Sequence, residues 1–341
     1  MKILAEYVWI GGNLELRSKC KVMEKTWEGR QPVPEDFPNW NYDGSSTNQA
    51  TGKDSEVMIY PKAIFPCPFR KQENVIVLCD TYLPDGNPHP SNTRHKAYKI
   101  FDQKLDEEPW YGLEQEYFLI DLNTNKPLGF HGDYIPKQGQ YYCSAGGANA
   151  LGRDLVEEHL YACLYAGLKI SGINAEVAPG QWEFQIGPAL GIEGGDHLWI
   201  ARYLLERITE KYNMRVELAP KPIKNDINGS GCHCNFSTKS MREGLSEKSG
   251  LDIIDEALVK LSLKHNEHMK VYGEGNEERM TGHHETAKFS DFSFGRANRG
   301  SSVRIPNDTI NNKKGYFEDR RPASNSDPYL VTSIIFETTC L

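Results

Sequence analysis

Five glutamates and one histidine, set inside apolar or aromatic stretches, constrain this chain more than any other feature. Glu114 and Glu116 lie in Gly112-Leu113-Glu114-Gln115-Glu116-Tyr117-Phe118. Glu176 and Glu183 bracket Val177-Ala178-Pro179-Gly180-Gln181-Trp182. His233 sits in Gly231-Cys232-His233-Cys234-Asn235, and Glu318 in Tyr316-Phe317-Glu318-Asp319. An isolated carboxylate is expensive to bury, so acids in such surroundings should be paired or bound to metal. Residues two apart in a strand share a face. Glu114 and Glu116 therefore point one way, and Leu113, Gln115 and Tyr117 the other. Glu183 and Gln185 share a face of the next candidate strand, opposite Trp182, Phe184 and Ile186. The turn signal Pro179-Gly180 lets Glu176 face Glu183 across a connection. Hard oxygen donors suit Mg²⁺ or Mn²⁺, and a lone imidazole tilts the set toward Mn²⁺. These ligands exceed what one Mg²⁺ needs when it keeps waters, so two ions with about three protein ligands each is the economical reading. Taken singly, each acid reads more readily as a surface ion pair, and His233 more readily as a satisfied core or strand histidine.

The chain has 341 residues, room for about two domains. A net charge of -8 argues against general nucleic-acid binding. No apolar run reaches the roughly 18 residues of a membrane span. The start, Met1-Lys2-Ile3-Leu4-Ala5-Glu6, reads as a strand rather than a signal or transit peptide. The 8 cysteines show no CxxC spacing and point to a reduced, cytoplasmic protein. Cys232 and Cys234 flank His233, but strand alternation turns them to the other face, away from any shared zinc.

Residues 1 to 85 read as β-rich, with strands at Lys2 to Ile10 and Val75 to Cys79. Between them runs a turn-rich loop containing Asn41-Tyr42-Asp43-Gly44-Ser45-Ser46-Thr47, and Pro84-Asp85-Gly86-Asn87-Pro88 marks a boundary. Beyond it, helices are expected at Asn92 to Leu105, Gly152 to Gly167, Asp196 to Tyr212 and Leu251 to Val271, with the acid-bearing segments as strands between them. The expected class is α+β: a small β-rich domain over 1–85, then a larger domain over 86–341 with helices packed on a sheet.

A second cluster, Arg279, Arg296, Arg299, Arg304, Arg320 and Arg321, falls in the last quarter of the chain. Arginine offers planar, bidentate bonding to carboxylates and phosphates. Acids for divalent cations plus arginines for anions form the parts list of phosphoryl transfer. Neither a Walker GxxxxGK[ST] nor a Rossmann GxGxxG is present, so a nucleotide site would be of another kind.

Together these motifs resemble glutamine synthetase of the eukaryotic type, nearly end to end. The marks are Trp40-Asn41-Tyr42-Asp43-Gly44-Ser45-Ser46-Thr47, Glu114-Gln115-Glu116, Asn174-Ala175-Glu176-Val177, Gln181-Trp182-Glu183-Phe184-Gln185, Gly231-Cys232-His233, Asn298-Arg299, Arg304-Ile305-Pro306 and Tyr316-Phe317-Glu318-Asp319-Arg320-Arg321-Pro322. The resemblance implies ATP-dependent joining of glutamate and ammonia through γ-glutamyl phosphate, with about two to three Mg²⁺ or Mn²⁺ ions. It implies that Glu116, Glu176 and Glu183 hold one ion on the glutamate and ammonia side. Glu114, His233 and Glu318 then hold a second at the nucleotide phosphates. Asn228, Gly229, Arg279 and Arg320 are implied to position glutamate, and Ser237, Arg299, Arg304 and Tyr316 to bind ATP. Asp43 is implied to attract ammonium and take its proton, and Glu285 to lie on a flap that keeps water from the acyl phosphate. Without its neighbours, Asp43 reads as an Asx-turn residue. The resemblance further implies a β-grasp N-terminal domain, a mainly antiparallel catalytic domain, and two stacked five-membered rings whose active sites form between subunits.

The chain departs from the family in places. It begins almost at its first strand and stops at Cys340-Leu341, so weakened ring-to-ring contacts are expected. Phe294-Gly295-Arg296 and Gly300 differ beside Asn298-Arg299. Cys234 stands where threonine is usual, and no function is read from it. A non-catalytic binding relative and a ligase using a bulkier amine remain as alternative readings at this point.

Overall fold

A computed structural model describes residues 1–131, 137–224, 226–284 and 286–341. The chain divides into two units, Met1–Lys99 with Tyr161–Leu168, and Ile100–Leu160 with Lys169–Leu341.

The first unit is built on strands β1 (Lys2–Ile10), β2 (Leu16–Glu24), β3 (Trp40–Asp43), β4 (Glu56–Pro66) and β5 (Val75–Tyr82), in the order β2-β1-β5-β4-β3. The pair β1/β5 is parallel and the other pairs antiparallel. All of β5 is buried, as its unbroken apolar start requires. Tyr7, Trp9, Trp27, Phe37 and Ile59 fill the core of this unit. The edge strand β2 carries Arg17, Lys19 and Lys21, charges that discourage pairing with another chain. Lys19 lies 3.5 Å from the Trp40 ring centroid and donates to the Asn41 carbonyl at 2.6 Å. It thereby fastens the strand that ends at Asp43.

Helix α1 (Thr93–Phe101) leads into the second unit. There follow β6 (Trp110–Asp121), β7 (Lys126–Pro127), α2 (Arg153–Tyr165), β8 (Ile170–Ala175), β9 (Gln181–Leu190), α3 (Ile192–Thr209), β10 (Met214–Glu217) and β11 (Cys232–Ser237). Then come α4 (Lys239–Glu243), α5 (Gly250–Leu263), α6 (His265–Met269), β12 (Phe294–Arg296), β13 (Val303–Ile305), α7 (Asn307–Asn312), β14 (Phe317–Asp319) and α8 (Pro328–Cys340). The sheet order is β12-β13-β14-β11-β6-β9-β8, with β7 and β10 also on β6, and among the described residues only β12/β13 is parallel. The α+β class with a mainly antiparallel catalytic sheet is borne out.

Alternation gives this sheet two chemically different faces. Tyr111, Leu113, Gln115, Phe184, Cys234, Phe236 and Phe317 are buried on one of them. Tyr111 donates from its hydroxyl to the Thr332 carbonyl of α8 at 2.8 Å, so that helix lies against this face. Close approach of α8 to α3 depends on Gly195, where a Cβ would lie 2.3 Å from the Tyr329 ring. The acids occupy the other face.

The short helices α4 and α7 lie outside the expected set, and the longer helices differ from expectation in two places. The stretch Leu251 to Val271 is two helices, parted at Lys264 (φ -107°, ψ 11°). His265 bonds the Phe289 carbonyl at 2.9 Å and His268 bonds Tyr272 and Thr338, so tertiary hydrogen bonds outweigh continuation of one helix. Helix α8 was not expected; it is capped by Asp327, which accepts from the Tyr329 amide at 3.0 Å.

Candidate active site

Strand register sorts the candidate ligands. Glu116 pairs with Glu183 and Glu114 with Gln185 across β6/β9. His233 faces Glu114 across β6/β11, and Glu318 faces Asn235 across β11/β14. Glu176 follows β8 directly, its amide donating to the Gln181 carbonyl at 2.9 Å. Among the described residues this yields two groups with ligand atoms within 4.8 Å of one another: Glu114, His233 and Glu318, and Glu116, Glu176 and Glu183. Cys232 and Cys234 face away from both, as alternation requires.

The two groups differ electrostatically. Burial raises the Glu116 carboxyl, and Glu176 raises it further, against one stabilising bond from the Gly231 amide at 2.7 Å. Burial likewise raises Glu183, followed by the charges of Glu114 and Glu116. The neutral amide of Gln185 donates to Glu183 and, at 2.7 Å, to Asn174, whose own amide reaches Glu176 at 3.0 Å. In the other group Glu318 accepts from Arg304 and, at 2.7 Å, from Arg320. Asn235 donates to Glu114 at 2.7 Å. Burial, then the charge of Arg320, holds the His233 imidazole well below its ordinary pKa. A neutral imidazole is the form that binds metal. Clustered carboxylates that raise one another's pKa, oxygen donors and one neutral imidazole fit hard divalent cations.

Binding such an ion should stabilise the folded chain, because the unfolded chain has no preformed site. We expect resistance to urea to rise with Mg²⁺ or Mn²⁺ by about 2.7 kcal/mol at one hundred times the dissociation constant. Unfolding curves in chelator and in excess metal measure this; coincident curves would remove the metal from the site.

Glu114 and His233 of the first group and all three acids of the second line a cavity of about 400 Å³, with Asn228, Gly229, Arg279, Arg299, Arg304 and Arg320. Arg279 is buried, and its Nη2 is taken up by the carbonyls of Arg320, Arg321 and Pro322. A second hollow of about 460 Å³ shares Glu114 and Gln185 with the first. Trp110, Ile186, Pro188 and Phe236 make it largely apolar, and Ser237 and Tyr316 lie on its wall.

Two further sequence candidates remain. Asp43 lies in the first unit, exposed, at the head of a short turn. Its carboxylate accepts from the Ser45 amide at 3.0 Å and from the hydroxyls of Ser45 and Ser46. These bonds, with one from Ser55, hold its pKa low. The Asx-turn reading therefore holds beside any functional one. Glu285 lies outside the described residues. Sequence reasoning missed Tyr142, which lines the cavity, and singled out Asn174, His284 and Thr286 in motifs without giving them a role there. Burial, Cys143 and Glu176 raise the Tyr142 phenol, while Arg299 lowers it. The double tyrosine Tyr141-Tyr142 in an otherwise small-residue loop was the available signal.

Two oxygen-rich ligand groups facing an arginine-lined cavity, with an apolar hollow adjoining, define a metal-dependent enzyme of group transfer to anionic substrates. Residues 90–250 match the glutamine synthetase catalytic domain. The whole chain is 57% identical to a cytosolic glutamine synthetase isozyme of Arabidopsis thaliana, covering 95% of that protein. It is 56% identical to a chloroplastic glutamine synthetase of Daucus carota, covering 78%. Over 99% of its length it is 58% identical to a putative glutamine synthetase of Acanthamoeba polyphaga mimivirus, covering 94%. The chain belongs to the glutamine synthetase family, in its plant and eukaryotic form. Its relatives thus include cytosolic and chloroplastic isozymes, and among the described residues no helix is long and apolar enough to cross a membrane.

Proposed function

We propose that this chain joins ammonia to the γ-carboxylate of L-glutamate, with ATP converted to ADP and phosphate. The activity is that of a glutamate–ammonia ligase. The observation that carries the reading is the opening of both ligand groups and four arginines onto one cavity. Family membership across the whole chain supports it.

In this reading a glutamate γ-carboxylate oxygen attacks the γ-phosphorus of ATP and ADP leaves. Ammonia then attacks the acyl carbon, and phosphate leaves as the C–N bond forms, taking the proton that the nitrogen loses. Glu114, His233 and Glu318 would hold one ion and Glu116, Glu176 and Glu183 another. Such ions, Mg²⁺ or Mn²⁺ and about two to three per site, would when bound supply charge neutralisation for the phosphates and for the attacking carboxylate. Asn228, Gly229, Arg279 and Arg320 orient glutamate. Arg299 and Arg304 face the phosphates, with Ser237 and Tyr316 at the nucleotide. Preplaced guanidinium groups stabilise transferring charge without reorganising during the reaction.

Asp43 is assigned to ammonium. A carboxylate held ionised by serine hydroxyls suits binding of that cation. Its low pKa makes it a weak base, so attraction is the larger part of its task. Family membership further supports an assembly of two five-membered rings in which a neighbouring subunit supplies the Asp43 loop, measurable by light scattering. A cytoplasmic site of action agrees with the Arabidopsis relative.

Phosphate release from ATP and Mg²⁺ tests the reaction. We expect full turnover only with glutamate and ammonium both present. Equal turnover without ammonium, or none with every component, would overturn the assignment.

A further inference from the structure

The two ligand groups share one piece of chain. Strand β6 gives Glu114 to the first and Glu116 to the second. Whatever holds Gln115, the residue between them, therefore sets both groups at once. Gln115 is fully buried on the opposite face. Its Oε1 accepts from Arg202 Nε at 2.8 Å. Its Nε2 donates to Ser324 Oγ at 2.8 Å and to the carbonyls of Glu116 at 2.8 Å and Ser324 at 3.1 Å. The Ser324 hydroxyl donates in turn to the Glu116 carbonyl.

Arg202 comes from α3 and is 3% exposed. Its two terminal nitrogens donate to the carbonyls of Ser326 at 3.0 Å and Ser324 at 2.9 Å. The guanidinium centre lies 4.8 Å from the Trp199 ring centroid. Among the described residues no carboxylate forms an ion pair with it. The charge of buried Asp327 supports this cation without a contact ion pair, yet burying the guanidinium is costly all the same, and an apolar side chain would serve packing better there. What the guanidinium alone offers is a rigid planar fork that bonds in several fixed directions. Here that fork ties α3 to Gln115 and to the segment that follows β14, the strand carrying Glu318.

We propose that Arg202 is a positioning residue for both divalent-cation sites, acting through Gln115 to fix Glu114 and Glu116 relative to each other. The proposal rests on the two-ion reading of the ligand groups. It touches neither substrate nor cation, and it predicts that both sites change together when the clamp is broken. Loss of such an outer contact typically lowers metal affinity tenfold to a hundredfold.

The test is binding of Mn²⁺ alone to the metal-stripped full chain, read from the paramagnetic resonance signal of free Mn²⁺. Wild type is compared with Arg202→Met, Arg202→Lys, Gln115→Leu and the double variant Arg202→Met/Gln115→Leu. We expect wild type to bind at two classes of site. Arg202→Met and Gln115→Leu should weaken both classes by about tenfold or more, and Arg202→Lys by less. The double variant should be no weaker than either single one, because both act through one contact. Leu258→Ala, a buried change on α5, controls for lost stability: it should unfold more easily yet keep wild-type Mn²⁺ affinity. Wild-type affinity in Arg202→Met or Gln115→Leu, weakening of one class alone, or additive losses would overturn the proposal. Should Arg202→Met not fold, Gln115→Leu and Arg202→Lys decide on the same criteria. Wild type that binds no Mn²⁺ would sink the two-ion reading itself, a different and separately visible outcome.

Discussion

Replacing Glu183 by glutamine is expected to stop turnover while making the metal-free chain harder to unfold. The carboxyl of Glu183 is 7% exposed and faces Glu116 across the β6/β9 pair. Among the described residues no arginine or lysine forms an ion pair with it. Burial, Glu114 and Glu116 raise its pKa to about 8. A carboxyl whose pKa is higher folded than unfolded holds its proton more tightly in the folded state. Its favourable contribution is fully present below the unfolded pKa, about 4.3, and is lost as pH rises toward the folded value. In chelator, therefore, wild type should lose stability between about pH 4.5 and pH 8, and Glu183→Gln should lose less. At pH 8 the variant should be more stable by on the order of 1–3 kcal/mol. With substrates and metal the sign reverses in importance. Losing one anionic ligand removes several kcal/mol of charge stabilisation, a fall in turnover of about a thousandfold. Urea unfolding in chelator across this pH range, alongside phosphate release, measures both. A variant that is less stable than wild type at pH 8, or that turns over normally, contradicts this account.

That the Glu116/Glu183 pairing exists was only half legible in the sequence. Period-two alternation told which face of β6 each acid takes, because Leu113, Gln115 and Tyr117 had to be buried on the other. It also separated His233 from Cys232 and Cys234. Alternation carries no information on which strand lies beside which, however. The number of ligands already asked for two ions, but which residues share each ion came from the resemblance, and the register of β6 with β9 and β11 supplies the geometry. Helix α8 escaped notice because Thr332, Ser333, Glu337 and Thr338 are scattered among Leu330, Val331, Ile334, Ile335 and Phe336 rather than gathered on one side, so no amphipathic period shows. The break at Lys264 escaped because it depends on His265 and His268 finding partners far away in the chain. Arg202 escaped for the same reason. In sequence it is one more arginine on an amphipathic helix, and only folding puts Gln115 against it.

The matching change at Glu318 should separate the two ligand groups by the sign of its effect on stability. Glu318 is fully buried, like Glu183, but its charge is compensated by Arg304 and Arg320. Removing one partner of a buried ion pair leaves an uncompensated charge, at a cost of about 3–5 kcal/mol. Arg320 is itself 7% exposed and donates its Nε to the Arg299 carbonyl, so it cannot turn to solvent without disturbing the arginine segment. Glu318→Gln should therefore destabilise the metal-free chain, where Glu183→Gln stabilises it. Both should lose turnover, and Glu318→Gln should remove Mn²⁺ binding at one class of site while leaving the other in place. Urea midpoints in chelator and Mn²⁺ titrations of the two variants read these outcomes side by side. If both substitutions shifted the midpoint in the same direction, the contrast between an arginine-paired group and a mutually repelling one would be wrong, and the case for two electrostatically distinct cation sites would go with it.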